Sequence, residues 1–174
     1  MKFAHTLLAG AALAVTMASA AHAADMLQPA DPIYSSPLFN FEGLYVGATG
    51  GGSLASGGLY GNLGVVVGAN FDVTSGIIAG VEFQGDTYWN GGGYAAYDAL
   101  ALGRIGGFVS DNTMIYADLG GGSLDGSAAY AFGGGIEMAV TDAMSVRGDI
   151  QGIGVWGATP SVGKATVGLL FHIQ

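Results

Sequence analysis

The sequence contains no cysteine. An exported form therefore cannot use disulfides and must draw stability from a good core, a metal or a bilayer. Charge is also scarce. Asp, Glu, Lys and Arg make up 10% of the 174 residues, against about 25% in an ordinary soluble domain. Bases are scarcer still: Lys2, Arg104, Arg147 and Lys164 stand against 13 acids. That balance excludes nucleic acid as a partner. Although 51% of the residues are hydrophobic, no apolar run after the N-terminal stretch approaches the length of a membrane-spanning helix. The apolar content is instead cut into short segments by 33 glycines. They follow no Gly-X-Y period, so collagen is excluded.

The first stretch, MKFAHTLLAGAALAVTMASAAHAAD, has a basic start at Lys2, an apolar run from about Leu7 to Met17 and an Ala21-His22-Ala23 site. It reads as a secretory signal peptide over 1–23. Residues 24–42 hold three of the four prolines, Pro29, Pro32 and Pro37, and read as an extended periplasmic linker. Without Lys2, three bases remain against thirteen acids, a net charge of 3 − 13 = −10.

From Gly43 onward the period is two. Ile77, Ala79, Val81, Phe83, Gly85, Thr87 and Trp89 share one face of a segment whose other face carries Ile78, Gly80, Glu82, Gln84, Asp86 and Tyr88. Such alternation predicts strands with one apolar and one polar face. Eight are expected, at 43–53, 59–71, 77–89, 94–108, 114–122, 128–140, 144–156 and 162–173. The pattern is weakest at 94–108, where Ala and Leu occupy both faces. Polar turns centred near Thr74, Asp111 and Asp142 alternate with glycine-rich connectors near 54–58, 90–93, 123–127 and 157–161. An even number of strands of about ten residues behind a signal peptide predicts an all-β fold, an eight-stranded antiparallel up-and-down transmembrane β-barrel over 43–174. Closure leaves no edge, so a monomer is expected. The polar turns and both termini would then face the periplasm. Tyr88, Trp89 and Trp156, with Tyr94 and Tyr97, would mark the outer rim, and Phe71, Phe108 and Phe171 the periplasmic rim. Aromatic residues favour both membrane interfaces. A soluble sandwich would not need its alternate strand ends to match in this way.

The ionisable residues fall mainly on the polar face: Glu82, Asp86, Arg104, Asp118, Glu137, Arg147, Asp149 and Lys164. Strand parity about the turns at Asp142 and Asp111 sets Glu137 opposite Arg147 and Arg104 opposite Asp118, both pairs of opposite charge. In a barrel this narrow such groups fill the lumen, and a salt-bridged network is expected there. An ion path through it is the alternative, and the acid excess would favour cations. The Arg147-Gly148-Asp149 tripeptide has the form of an adhesion ligand. Within a strand, however, both charged residues point to one face, here the lumen.

Other signals exclude more than they suggest. Gly152 to Gly157 match G-x-G-x-x-G without the βαβ unit that a dinucleotide site needs. His172 faces inward, and no nucleophile can be placed beside it from the sequence, so no catalytic residue is assigned. There is no metal-ligand spacing, Asp125 alone on the outer connectors cannot hold calcium, and no cofactor is implied.

The stretches GLYVGATGG, GRIGGFVSDNTMIYADLGGG and YAFGGGIEMAVTDAMSVRGDIQ resemble the porin-like surface-antigen family of alphaproteobacterial outer-membrane proteins, relatives of the OmpA transmembrane domain and the opacity proteins. The likeness runs from Phe41 to the C-terminus. It implies residence in the cell outer membrane among its lipids. It also implies an interior role for Gly133, Gly135, Glu137 and Arg147. Thr166, Gly168, Phe171 and Ile173 would form a signal read by the barrel-assembly machinery, although family members more often end on the aromatic. The outer connectors are far shorter than the recognition loops of that family, so host-receptor roles are not implied. The expected role is structural, a small non-enzymatic envelope barrel with a filled lumen, the alternative being a narrow porin-like channel.

Overall fold

The computed structural model describes residues 39–74 and 76–173. The expected signal peptide and most of the expected linker lie outside these residues.

Two-residue alternation becomes eight strands: β1 Gly43–Ala55, β2 Gly58–Thr74, β3 Ile77–Asn90, β4 Gly93–Ser110, β5 Thr113–Leu124, β6 Ser127–Ala139, β7 Met144–Val155 and β8 Val162–Ile173. Each pairs antiparallel with the next, and β1 pairs with β8 from Leu44↔Ile173 to Leu54↔Gly163, closing the barrel. β4, whose sequence pattern is weakest, is the longest at 18 residues. Its faces are hard to tell apart because its interior positions Leu100 and Leu102 are themselves apolar. They pack against Ala129, Ala131 and Ile153 across the lumen.

Burial runs opposite to that of a soluble protein. Phe83 and Ile150 are 60% and 68% exposed, while Glu82 and Arg147 beside and across from them are 3% and 1% exposed. A soluble sandwich would bury the first pair and solvate the second. An apolar wall around a polar interior is the pattern of a barrel set in lipid. No helix among the described residues is long and apolar enough to cross a membrane.

The turns sort by end. The described termini lie at the same end as the connections from β2 to β3, β4 to β5 and β6 to β7, the terminal end. At the far end, pairing continues to Ala55↔Gly58, Asn90↔Gly93 and Leu124↔Ser127. Three of the connectors expected to span four or five residues are thus two-residue turns. Asp125 (φ 48°) and Gly126 (φ 81°) both take the left-handed conformation that a type I′ hairpin requires. Only 156–161 forms a longer connector there.

Exposed aromatics lie at both ends of the barrel. Trp89 and Trp156 are exposed at the far end, with Tyr94 and Tyr97, and Phe71, Phe108 and Phe171 are exposed at the terminal end. Tyr88 is the correction. It is 4% exposed and points into the lumen, because it shares the parity of Glu82 and Asp86.

Glycine abundance has a local cause in the lumen. A Cβ at Gly68 would overlap the Tyr45 ring and come within 2.8 Å of the Val81 carbonyl oxygen. At Gly135 it would sit 2.6 Å from the Tyr116 hydroxyl and 2.9 Å from Asp149 Oδ1. These positions are empty so that large polar side chains from neighbouring strands can cross them. Gly163, on the outer face, has no atom near its would-be Cβ. Gly68→Ala is expected to destabilise the barrel by about 1–3 kcal/mol, the cost of overpacking. Gly163→Ala should change it by less than about 0.5 kcal/mol. Urea midpoints of the protein folded in lipid vesicles read both.

Candidate functional site

The lumen is where the sequence concentrates its chemistry. All eight expected charged residues are buried there. The ladder sets Glu137 opposite Arg147 and Arg104 opposite Asp118. The ion pairs, however, do not follow those adjacencies. Arg147 on β7 reaches straight across to β3 and forks the Glu82 carboxylate, Nη2 to Oε1 at 3.2 Å and Nη1 to Oε2 at 2.5 Å. Arg104 on β4 bonds Glu137 on β6 at 3.1 Å and approaches Glu82 at 3.5 Å. The reason is geometric. Directly opposed side chains on adjacent strands stand side by side, whereas long guanidinium arms extend towards the axis and meet the far wall. Asp118 pairs with no base among the described residues. It accepts a hydrogen bond from Gln151 Nε2 at 3.3 Å, two strands away across the bare backbone of Gly133.

Tyrosines complete this level. The Tyr45 hydroxyl donates to Glu82 at 2.6 Å and accepts from Arg104 at 2.9 Å. The Tyr116 hydroxyl donates to Asp149, and its ring lies 3.9 Å below the Arg104 guanidinium carbon. Arg147 Nε sits 2.7 Å from Asp149 Oδ2, close but not aligned as a hydrogen bond. The Arg-Gly-Asp tripeptide is therefore an internal contact, with Arg147 and Asp149 buried.

A second level lies towards the far end. Asp86 follows Glu82 by four residues on β3, a rise of about 13 Å. Lys164 on β8 bonds Asp86 at 2.9 Å and Asp98 on β4 at 3.4 Å. Tyr88 donates to Asp98, and Asn62 donates to Asp86 at 3.1 Å. Gln84 joins the levels, donating to Glu82 at 2.6 Å and accepting from Lys164 at 3.4 Å.

A third group closes the terminal end. His172 Nε2 lies 2.9 Å from Glu137 Oε1 and 3.1 Å from Ser145 Oγ, and Ser145 donates to the same carboxylate oxygen at 2.8 Å. The sequence alone offers no partner for His172, and the fold supplies two. A hydrolytic triad holds the nucleophile on one ring nitrogen and the orienting acid on the other. Here both share Nε2, Nδ1 has no partner, and all three side chains are sealed from solvent. The geometry is that of a buried polar cluster.

The described lumen thus buries six acids (Glu82, Asp86, Asp98, Asp118, Glu137 and Asp149) and three bases (Arg104, Arg147 and Lys164). Asp98 is within reach of the sequence, because it shares parity with Arg104. The weak alternation of its strand conceals it. Tyr45 and Tyr116 carry no sequence signal that sets them apart, and Tyr88, expected at the rim, shares the inward parity of Glu82. No group of three or more His, Cys, Asp or Glu among the described residues is placed to hold a metal. Of the four residues of the expected assembly signal, Thr166 and Gly168 face inward, whereas Phe171 and Ile173 face outward at the end of β8.

Arg147→Ala removes the fork on Glu82, leaving it only Arg104 at 3.5 Å as a base, and leaves Asp149 buried without its base; it is expected to cost about 3–5 kcal/mol. In double-mutant cycles, Glu82→Ala with Arg147→Ala should show a coupling of about 1–3 kcal/mol, larger than that of Glu137→Ala with Arg147→Ala. Equilibrium unfolding in vesicles measures both, and the reverse order would return the pairing to the neighbouring strands.

No protein-family model matches the chain, and no curated protein does. Among solved structures it is similar to a chain from the de novo design of transmembrane β-barrels, with 17% identity and a TM-score of 0.51 over 77% of this chain and 98% of that one. It is similar also to the Yersinia pestis outer membrane protein Ail, determined in a phospholipid bilayer nanodisc. There the identity is 10% and the TM-score 0.51, over 76% of this chain and 100% of that one. Identities this low speak to fold alone. The chain has the fold of the eight-stranded transmembrane β-barrels.

Proposed function

We propose that the chain is a small, monomeric outer-membrane barrel with a structural role in the cell envelope, its lumen closed by its own side chains. One observation carries the reading. Ionic braces cross between opposite walls at two levels, β3 to β7 through Glu82 and Arg147 and β4 to β8 through Asp98 and Lys164. A charged side chain held by two or three partners in a medium of low dielectric is costly to displace. Two such levels in series oppose any solute. The short far-end turns add no surface for a receptor, and the shared Nε2 of His172 gives no hydrolytic chemistry.

The motif of Gly133, Gly135, Glu137 and Arg147 supports membership of the porin-like surface-antigen family of alphaproteobacterial outer-membrane proteins. In that reading the signal peptide exports the chain, and the terminal end faces the periplasm. The barrel-assembly machinery reads the last strand through Phe171 and Ile173, and outer-membrane lipids surround the apolar wall.

The purified protein in planar bilayers is expected to stay electrically silent. Sustained, discrete channels in the wild type would overturn the closed-lumen reading. They would favour the alternative of a narrow path for ions or small solutes, for which the excess of six lumen acids over three bases requires cation selectivity.

A further inference from the structure

The residues just before β1 are not a loose lead-in. The Asn40 side chain accepts a hydrogen bond from the Glu42 amide at 2.9 Å, a tight local turn. Gly43 then adopts φ +103°, which favours glycine, where the chain enters β1. Between them Phe41 is turned into the barrel mouth and is 1% exposed. Its carbonyl oxygen accepts from Asn70 Nδ2 at 2.8 Å. Its ring joins Ile78, Met114 and Tyr116 in one cluster and meets Phe108 at 5.5 Å. Phe39 packs edge-on against Phe41 at 4.6 Å and against His172 at 4.8 Å, and Phe41 meets His172 at 6.0 Å.

We propose that Phe39–Phe41 is an aromatic stopper carried by the chain itself, seated in the terminal mouth and separable from the barrel wall. The wall does not depend on it, because the eight strands close their ladder through β1 and β8 without residues 39–42. Its seat is made of side chains from several strands: Asn70 on β2, Ile78 on β3, Met114 and Tyr116 on β5, and His172 on β8. What it covers is the His172, Glu137 and Ser145 cluster. His172 Nδ1 is buried with no partner, an arrangement that costs free energy and that water would relieve if the stopper left. The stopper therefore controls access of water and small reagents to the His172 cluster at the terminal end of the lumen. The two levels of ion pairs beyond it are a separate barrier. The proposal rests on the closed-lumen reading only for that inner barrier, so conductance decides one and access to His172 the other.

The test is diethylpyrocarbonate labelling of the folded full chain in detergent, with the His172 peptide quantified by mass spectrometry. Heat-dependent gel mobility confirms that the barrel is intact. In the wild type His172 should label slowly. In Phe39→Ser/Phe41→Ser labelling should accelerate by about tenfold or more, since loss of two packed rings raises the open population at least that much. Should that pair of changes prevent folding, Asn70→Ala leaves both rings in place, removes only the bond to the Phe41 carbonyl oxygen, and should give a smaller acceleration. Gly163→Ala, on the outer face at the far end, should leave the rate unchanged. Rapid labelling in the wild type overturns the proposal. So does a protected His172 in the folded double variant, or an unaltered rate in Asn70→Ala where that variant decides.

Discussion

The constraint on which everything else depends is backbone satisfaction in lipid. An unpaired amide or carbonyl in hydrocarbon costs several kcal/mol, so a sheet within a bilayer has to meet its own first strand. Here that meeting is the β1–β8 ladder. With eight strands the closed ring encloses a space just wide enough for side chains. The wall must be apolar, so the inward half of each strand receives nearly all the ionisable groups. The network in the lumen is the consequence of closing a short, glycine-rich sheet around its polar face.

Closure also explains why the charges pair across the ring. A ladder neighbour stands alongside, on the same wall. Arg147 and Arg104 are long enough to reach the axis, where Glu82, on the wall opposite Arg147, contacts both. Bare backbone at Gly68 and Gly135 leaves the room for Tyr45 and Tyr116 to lie across those strands. Glycine and arginine act together here, one vacating volume and the other spanning it. Long polar side chains otherwise carry a large entropic cost on burial. Sharing partners among Glu82, Tyr45 and the two arginines distributes that cost over several bonds.

The fold is almost wholly legible in the sequence, because in a barrel each strand states its own two faces. Ile77 to Trp89 alternates so regularly that its inward set follows from parity alone. Strand ends are harder to place. Pairing at the far end runs on to Leu124↔Ser127 and Asn90↔Gly93, through glycines and small residues that carry no facial signal. The site is legible in membership and not in partnership. Parity identifies which groups enter the lumen, but it cannot say how far each arm reaches, so Glu137 opposite Arg147 is a sound register and a misleading bond. Phe39 and Phe41 are hidden for another reason: a run punctuated by Pro29, Pro32 and Pro37 reads as a linker, and nothing local shows that its last residues fold back. The buried cluster at His172 is hidden because its members come from separate strands, β6, β7 and β8.

The placement of the bases has a consequence outside the barrel. Arg104, Arg147 and Lys164 all lie within the lumen, so the described surface presents no cation to its surroundings. Its exposed charges are acids, Glu42, Asp72, Asp111 and Asp142 towards the terminal rim and Asp125 at the far rim. Lipid phosphates consequently meet no guanidinium or ammonium group on this surface. Its hold on the headgroup region falls to the indole and phenol groups of Trp89, Trp156, Tyr94 and Tyr97, which are uncharged and insensitive to salt. With the positive charge of its described residues drawn inward, the barrel lacks the ionic grip on lipid that a basic rim would supply.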